Sequence, residues 1–70
     1  MYQEKINKIL LKIKEKRKEL EMSQYEFGKK IGLSQNAYFK LETGKTKLDL
    51  FRFFIIAKVL GVSSRDLIGE

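Results

Sequence analysis

Apolar residues recur every three or four positions in most of this chain, and no stretch alternates with the period of two that a strand requires. The first segment, from about Gln3 to Leu20, carries Ile6, Ile9, Leu10, Ile13, Arg17 and Leu20 on one face of a helix. A second helix starts after Ser23, where Ser23 and Glu26 have capping-box spacing, and ends near Ile31. A third runs from about Gln35 to Thr43, and a fourth from about Leu50 to Leu60 with Asp49 as its cap. A short fifth runs from Ser64 to about Ile68, with Ser63 and Asp66 as a second capping box. The pattern predicts an all-α chain folded as a compact five-helix bundle.

Two joints share one form, Ile31-Gly32-Leu33-Ser34 and Leu60-Gly61-Val62-Ser63. In each, a glycine takes the left-handed position that ends one helix, the next apolar residue packs back, and a serine caps the following helix. Gly44 is a third stop. The joint at Gly32 is so short that the second and third helices must cross sharply, as in a helix-turn-helix spanning about residues 24–43. Phe27 and Ile31 then face Tyr38 and Leu41, Leu33 fills the corner, and Gly28 stands where the two helices come closest. On the fourth helix, Leu50, Phe53, Phe54, Ala57 and Leu60 form the expected core stripe. Phe51, Ile55 and Val59 form a second stripe, which is either covered by the long first helix or left open as a dimer face.

Seventy residues are enough for one domain, so residues 1–70 are read as a single unit. There is no cysteine and no histidine, so neither a disulfide nor an ordinary zinc site is expected, and no cofactor is indicated. The longest apolar run, Phe53 to Ala57, is too short for a bilayer, and Lys5, Lys8 and Lys12 interrupt any signal-peptide core. A cytoplasmic protein with no membrane role is therefore expected. The net charge of +6 favours phosphate partners. Between Lys5 and Lys18 there are seven basic residues and one acid, and Lys40, Lys45 and Lys47 form a second basic group.

The third helix opens unusually. Acids normally favour a helix N-terminus, yet Ser34 is followed by Gln35, Asn36 and Ala37, then Phe39 and Lys40 on the outer face. Gln and Asn can pair bidentately with adenine in the major groove, and Lys can reach guanine acceptors. An ordinary polar solvent face would read the same way from this helix alone.

At this point the chain resembles the lambdoid phage repressor and Cro family, the XRE type of helix-turn-helix. The matching strings are Met22-Ser23-Gln24, Lys30-Ile31-Gly32-Leu33-Ser34-Gln35, Lys40-Leu41-Glu42-Thr43-Gly44-Lys45-Thr46-Lys47, and Ile56-Ala57-Lys58-Val59-Leu60-Gly61-Val62-Ser63. They cover about Ile9 to Ile68. The resemblance implies a lambda-repressor-like fold and a bacterial or phage-encoded, nucleoid-associated regulator that binds a palindromic operator in double-stranded DNA as a homodimer. It implies base reading by Gln35, Asn36, Ala37 and Lys40, with Phe39, on the same face, counted with them as a candidate. It implies phosphate contacts by Arg17, Ser23, Gln24, Thr43, Lys45 and Lys47, and an ion pair between Arg17 and Glu42. The pair also makes sense alone, because an arginine on an apolar helix face is costly without a carboxylate.

Two departures stand out. Tyr38 replaces a small aliphatic residue, so its hydroxyl needs a partner or a path to solvent. Phe39 replaces a short polar residue and either meets a thymine methyl or sugar edge or is plain surface. The rival reading is a protein-interaction module of the same fold, such as an antitoxin, gripping a partner protein through the Phe51 and Ile55 stripe. An enzyme is not expected, because the chain has no His, no Cys and no phosphate-binding glycine loop, and catalytic residues are accordingly none.

Overall fold

The structure, a computed structural model, describes residues 2–69. Five helices follow one another: α1 (Tyr2–Glu19), α2 (Gln24–Lys30), α3 (Gln35–Glu42), α4 (Leu50–Leu60) and α5 (Ser64–Ile68). No strand occurs among the described residues. The chain is thus all-helical, as the spacing of its apolar residues predicts.

Each helix start is fixed by a side chain close in sequence. The Ser23, Ser34, Asp49 and Ser63 side chains accept from the N–H groups of Glu26, Ala37, Arg52 and Asp66. Glu26 and Asp66 return the bond to the cap backbone, completing both capping boxes. The ends of α1 to α4 share one geometry, in which two successive N–H groups turn back onto the last carbonyls. At the α2 end, Leu33 N–H donates to Gly28 C=O at 2.8 Å and Gly32 N–H to Lys29 C=O at 3.2 Å. Gly32, Gly44 and Gly61 hold the left-handed residue after α2, α3 and α4, with φ of 79°, 80° and 73°. After α1 that position falls to Glu21, φ 58°, a strained choice for a residue with a Cβ.

α2 and α3 form the closest helix pair. Gly28 makes their approach possible: a Cβ there would lie 3.1 Å from both the Leu33 carbonyl oxygen and Tyr38 Cβ. Phe27 and Tyr38 are fully buried and meet edge to face, with centroids 5.2 Å apart. Leu10 and Ile13 of α1, Ile31 and Leu41 of the α2–α3 pair, and Phe53, Ile56 and Leu60 of α4 close the core, with Leu67 of α5 fully buried. Leu33 lies half-buried against it at the corner.

Three expectations about burial need correction. Ile6 and Leu20 are exposed, because the first turns of α1 reach the rim of the packed helices and Leu20 lies just past the helix end. Leu50 and Phe54 are not core residues: they are 71% and 56% exposed, and Ile56 is buried instead. The α4 register that faces α1 and α5 is Phe53, Ile56, Ala57 and Leu60, at spacings of three and four. The second stripe divides: Phe51 is 72% exposed, while Ile55 and Val59 are half-buried against the core.

The α2–α3 crossing sets a test. Gly28→Val should destabilise the fold by about 1–3 kcal/mol, since the added methyls meet backbone carbonyls that cannot rotate away. Urea unfolding checks this; an unchanged midpoint would mean that the two helices do not approach as closely as described.

Candidate nucleic-acid interface

The outer face of α3 depends on how the helix is held from behind. Glu42, its last residue, is 8% exposed, and Arg17 of α1 is 6% exposed. A buried carboxylate needs donors for all its lone pairs, and Glu42 has them. Arg17 Nε donates to Oε2 at 2.9 Å and Nη2 to Oε1 at 3.1 Å, a forked pairing. Tyr38 O–H donates to Oε2 at 2.6 Å, and Gln24 Nε2 donates to Oε1 at 3.1 Å. Arg17 Nη1 donates to the Met22 carbonyl at 2.7 Å. One carboxylate therefore joins α1, the start of α2 and both ends of the α3 turn from Tyr38 to Glu42.

The electrostatics follow. Burial pushes the Glu42 carboxyl up, but hydrogen bonds from Arg17, Tyr38 and Gln24 outweigh it, and the group sits below its ordinary value near 4.5. The hydrogen bond from Arg17 to Glu42 raises the guanidinium pKa further, against the opposing effect of burial. Burial first, and then the Glu42 carboxylate, push the Tyr38 phenol well up, which keeps its proton available to donate. The hydroxyl that lacked an obvious partner in the sequence thus completes the Glu42 shell.

Held in this way, α3 leaves Gln35, Asn36, Phe39 and Lys40 exposed and Ala37 half-buried. Its first turn carries no acid. Gln35, Asn36 and Phe39 line one shallow recess together with Gln24. Asn36, Ala37 and Lys40 line another, on the side toward α4, with Thr46, Lys47 and Arg52. Lys45 Nζ lies 5.6 Å from the centre of the Phe39 ring, a cation–π contact. Ser23 is exposed beside Gln24 at the start of α2.

One of the phosphate contacts expected from the sequence needs correction. Arg17 is buried, and its Nε, Nη1 and Nη2 each donate one hydrogen bond inside the protein, so it is not presented to a phosphate. Thr43 gives its hydroxyl proton to the Phe39 carbonyl at 2.7 Å and its N–H to the same oxygen at 3.0 Å, so it closes the end of α3. Arg52 was not singled out in the sequence. It lines the recess beside Lys40 and Lys47, and its Nη1 donates to the Ile31 carbonyl at 3.1 Å, tying α4 to the end of α2. The available signal was a lone arginine in the first turn of a mostly apolar helix.

Comparison with known proteins identifies the family. A helix-turn-helix family model of the XRE type matches residues 13–67. The chain belongs to that helix-turn-helix family. Curated proteins and solved structures give no match. As an XRE-type helix-turn-helix protein it is a DNA-binding transcription regulator, with double-stranded DNA as its partner. Among the described residues, no helix is long and apolar enough to cross a membrane.

The Glu42 cluster makes this helix-turn-helix sensitive to substitution and to acid. Arg17→Met should cost about 3–5 kcal/mol, because it leaves a buried carboxylate without its counter-charge. Tyr38→Phe should cost about 1.5–3 kcal/mol, the worth of a hydrogen bond to a charged group. The folded-state pKa of Glu42 lies below the unfolded value, so its contribution is fully present above about pH 4.5 and is lost as pH falls through the folded value. Urea unfolding from pH 7 to pH 3 should show stability falling with pH, and a shallower fall in Glu42→Gln. Equal slopes in the two proteins would mean that Glu42 is not held as an anion.

Proposed function

We propose that the protein is a repressor that binds a palindromic operator as a homodimer, with α3 of each subunit in the major groove. The observation that carries this reading is the open, acid-free first turn of α3, whose amides at Gln35 and Asn36 stand beside Phe39 and Lys40 on a helix anchored from behind. Gln35 and Asn36 would pair with adenine edges and Lys40 with guanine acceptors, while Ala37 and Phe39 supply apolar contact to thymine methyls. Ser23, Gln24, Lys45 and Lys47 would hold phosphates and fix the register of the helix in the groove. Gln24 has a second amide proton for this, since only one goes to Glu42.

The homodimer is supported by the apolar surface of α4, where Leu50, Phe51 and Phe54 are open and Ile55 and Val59 lie half-buried behind them. That surface is equally what a protein partner would grip, so self-association and partner binding are separated by the same experiment.

Selection of binding sites from random duplexes tests the reading. The expected product is a two-fold symmetric motif with half-site centres roughly 34 Å apart. Gln35→Ala or Lys40→Ala should relax preference at one position per half-site and cost about 1–3 kcal/mol. Lys47→Ala should weaken all sequences alike and lower the salt slope by about 0.9. Failure to enrich any motif, together with a stoichiometric protein partner, would favour the interaction module instead.

A further inference from the structure

The groove between α1 and α3 has no role in the account so far. Asn7, Leu11 and Lys14 recur at helical spacing on α1, and they form one wall of a groove of about 390 Å³ whose other wall includes Gln24 and Phe39. Gln24 and Phe39 also line the recess holding Gln35 and Asn36, so the two depressions share a boundary. A strand whose bases meet the start of α3 would run its backbone from the recess into this groove.

The chemistry of the groove suits a sugar–phosphate chain. Asn7 Oδ1 accepts from Gln3 Nε2 at 3.0 Å, which leaves the Asn7 amide protons as the donors presented outward. Lys14 is exposed at the groove and supplies a full positive charge. The Glu42 carboxylate also borders the groove, but its charge is matched by the forked Arg17 pairing. Exposed Leu11 and the Phe39 ring give apolar surface of the kind a deoxyribose face packs against.

We propose that this groove seats the DNA backbone flanking each half-site, with Lys14 and Asn7 donating to a phosphate outside the base pairs that α3 meets. The proposal rests on α3 being the base-reading element, as argued above. It makes α1 a backbone-binding element as well as a core helix. An acidic peptide could use the same donors; the boundary shared with the Gln35 and Asn36 recess favours a duplex that is read there as well.

The test compares Lys14→Ala with Lys58→Ala, which removes the same charge from the last turn of α4, a residue that does not line the groove. Each variant is titrated with the selected duplex at several salt concentrations, and contacted phosphates are mapped by ethylation interference. Lys14→Ala should lower the salt slope by about 0.9 and abolish interference at a phosphate outside the selected motif. Asn7→Ala should weaken the same interference signal without a comparable slope change, and Lys58→Ala should leave both unchanged. If Lys14→Ala matches Lys58→Ala while Gln35→Ala still alters the motif, the groove does not seat DNA and the recognition face stands. If the unaltered protein contacts no phosphate beyond non-specific binding, both readings fall together.

Discussion

Everything on the outer surface of α3 depends on the carboxylate behind it. Glu42 receives four hydrogen bonds, from Arg17 of α1, Gln24 of α2 and Tyr38 of α3 itself. A domain of this size has a total stability of only about 4–10 kcal/mol. An unpaired charge at this depth would take a large part of that. The cluster therefore constrains orientation: α3 cannot rotate or slide without stranding one of the four donors. The proposed presentation of Gln35 and Asn36 to a groove needs that constraint, because the two amides reach only as far as their backbone is held.

The packing on the other side of the motif enforces the same orientation by sterics. Gly28 lets α2 approach to within contact of Tyr38 Cβ and the corner carbonyls, and Phe27 meets the Tyr38 ring edge-on. Tyr38 thus serves twice, with its ring in the apolar core and its hydroxyl in the Glu42 shell. The substitution of a tyrosine for a small aliphatic residue adds a polar tie to the helix-turn-helix, and it costs nothing in unsatisfied groups: no buried side-chain polar atom among the described residues lacks a partner.

What could be read from the sequence was local. Caps at Ser23, Ser34, Asp49 and Ser63 and stops at Gly32, Gly44 and Gly61 act within four residues, so their spacing alone located the helices. The phase of α4 could not be read in the same way. In Leu-Phe-Arg-Phe-Phe-Ile-Ile-Ala-Lys-Val-Leu nearly every position is apolar, so periodicity does not choose between a stripe through Leu50 and Phe54 and one through Ile56. Only the positions of α1 and α5 decide it. The end of α1, read at about Leu20 and found at Glu19, carried no glycine signal, because Glu21 takes the left-handed turn. Arg17 was legible as a charge in need of a partner. That its guanidinium is buried, with Nε, Nη1 and Nη2 each donating inside the fold, required the third dimension. The same holds for the Gln24 bond to Glu42 and for the recess that joins Gln24 to Gln35.

The central claim is that the outer face of α3 is where DNA is met. It is tested most directly by following backbone amide resonances as a selected operator duplex is added to the isotopically labelled protein. The largest shifts are expected at Gln35, Asn36, Phe39 and Lys40, with Leu67 and the interior of α5 unmoved. Shifts concentrated on Leu50, Phe51 and Phe54, with α3 silent, would contradict it.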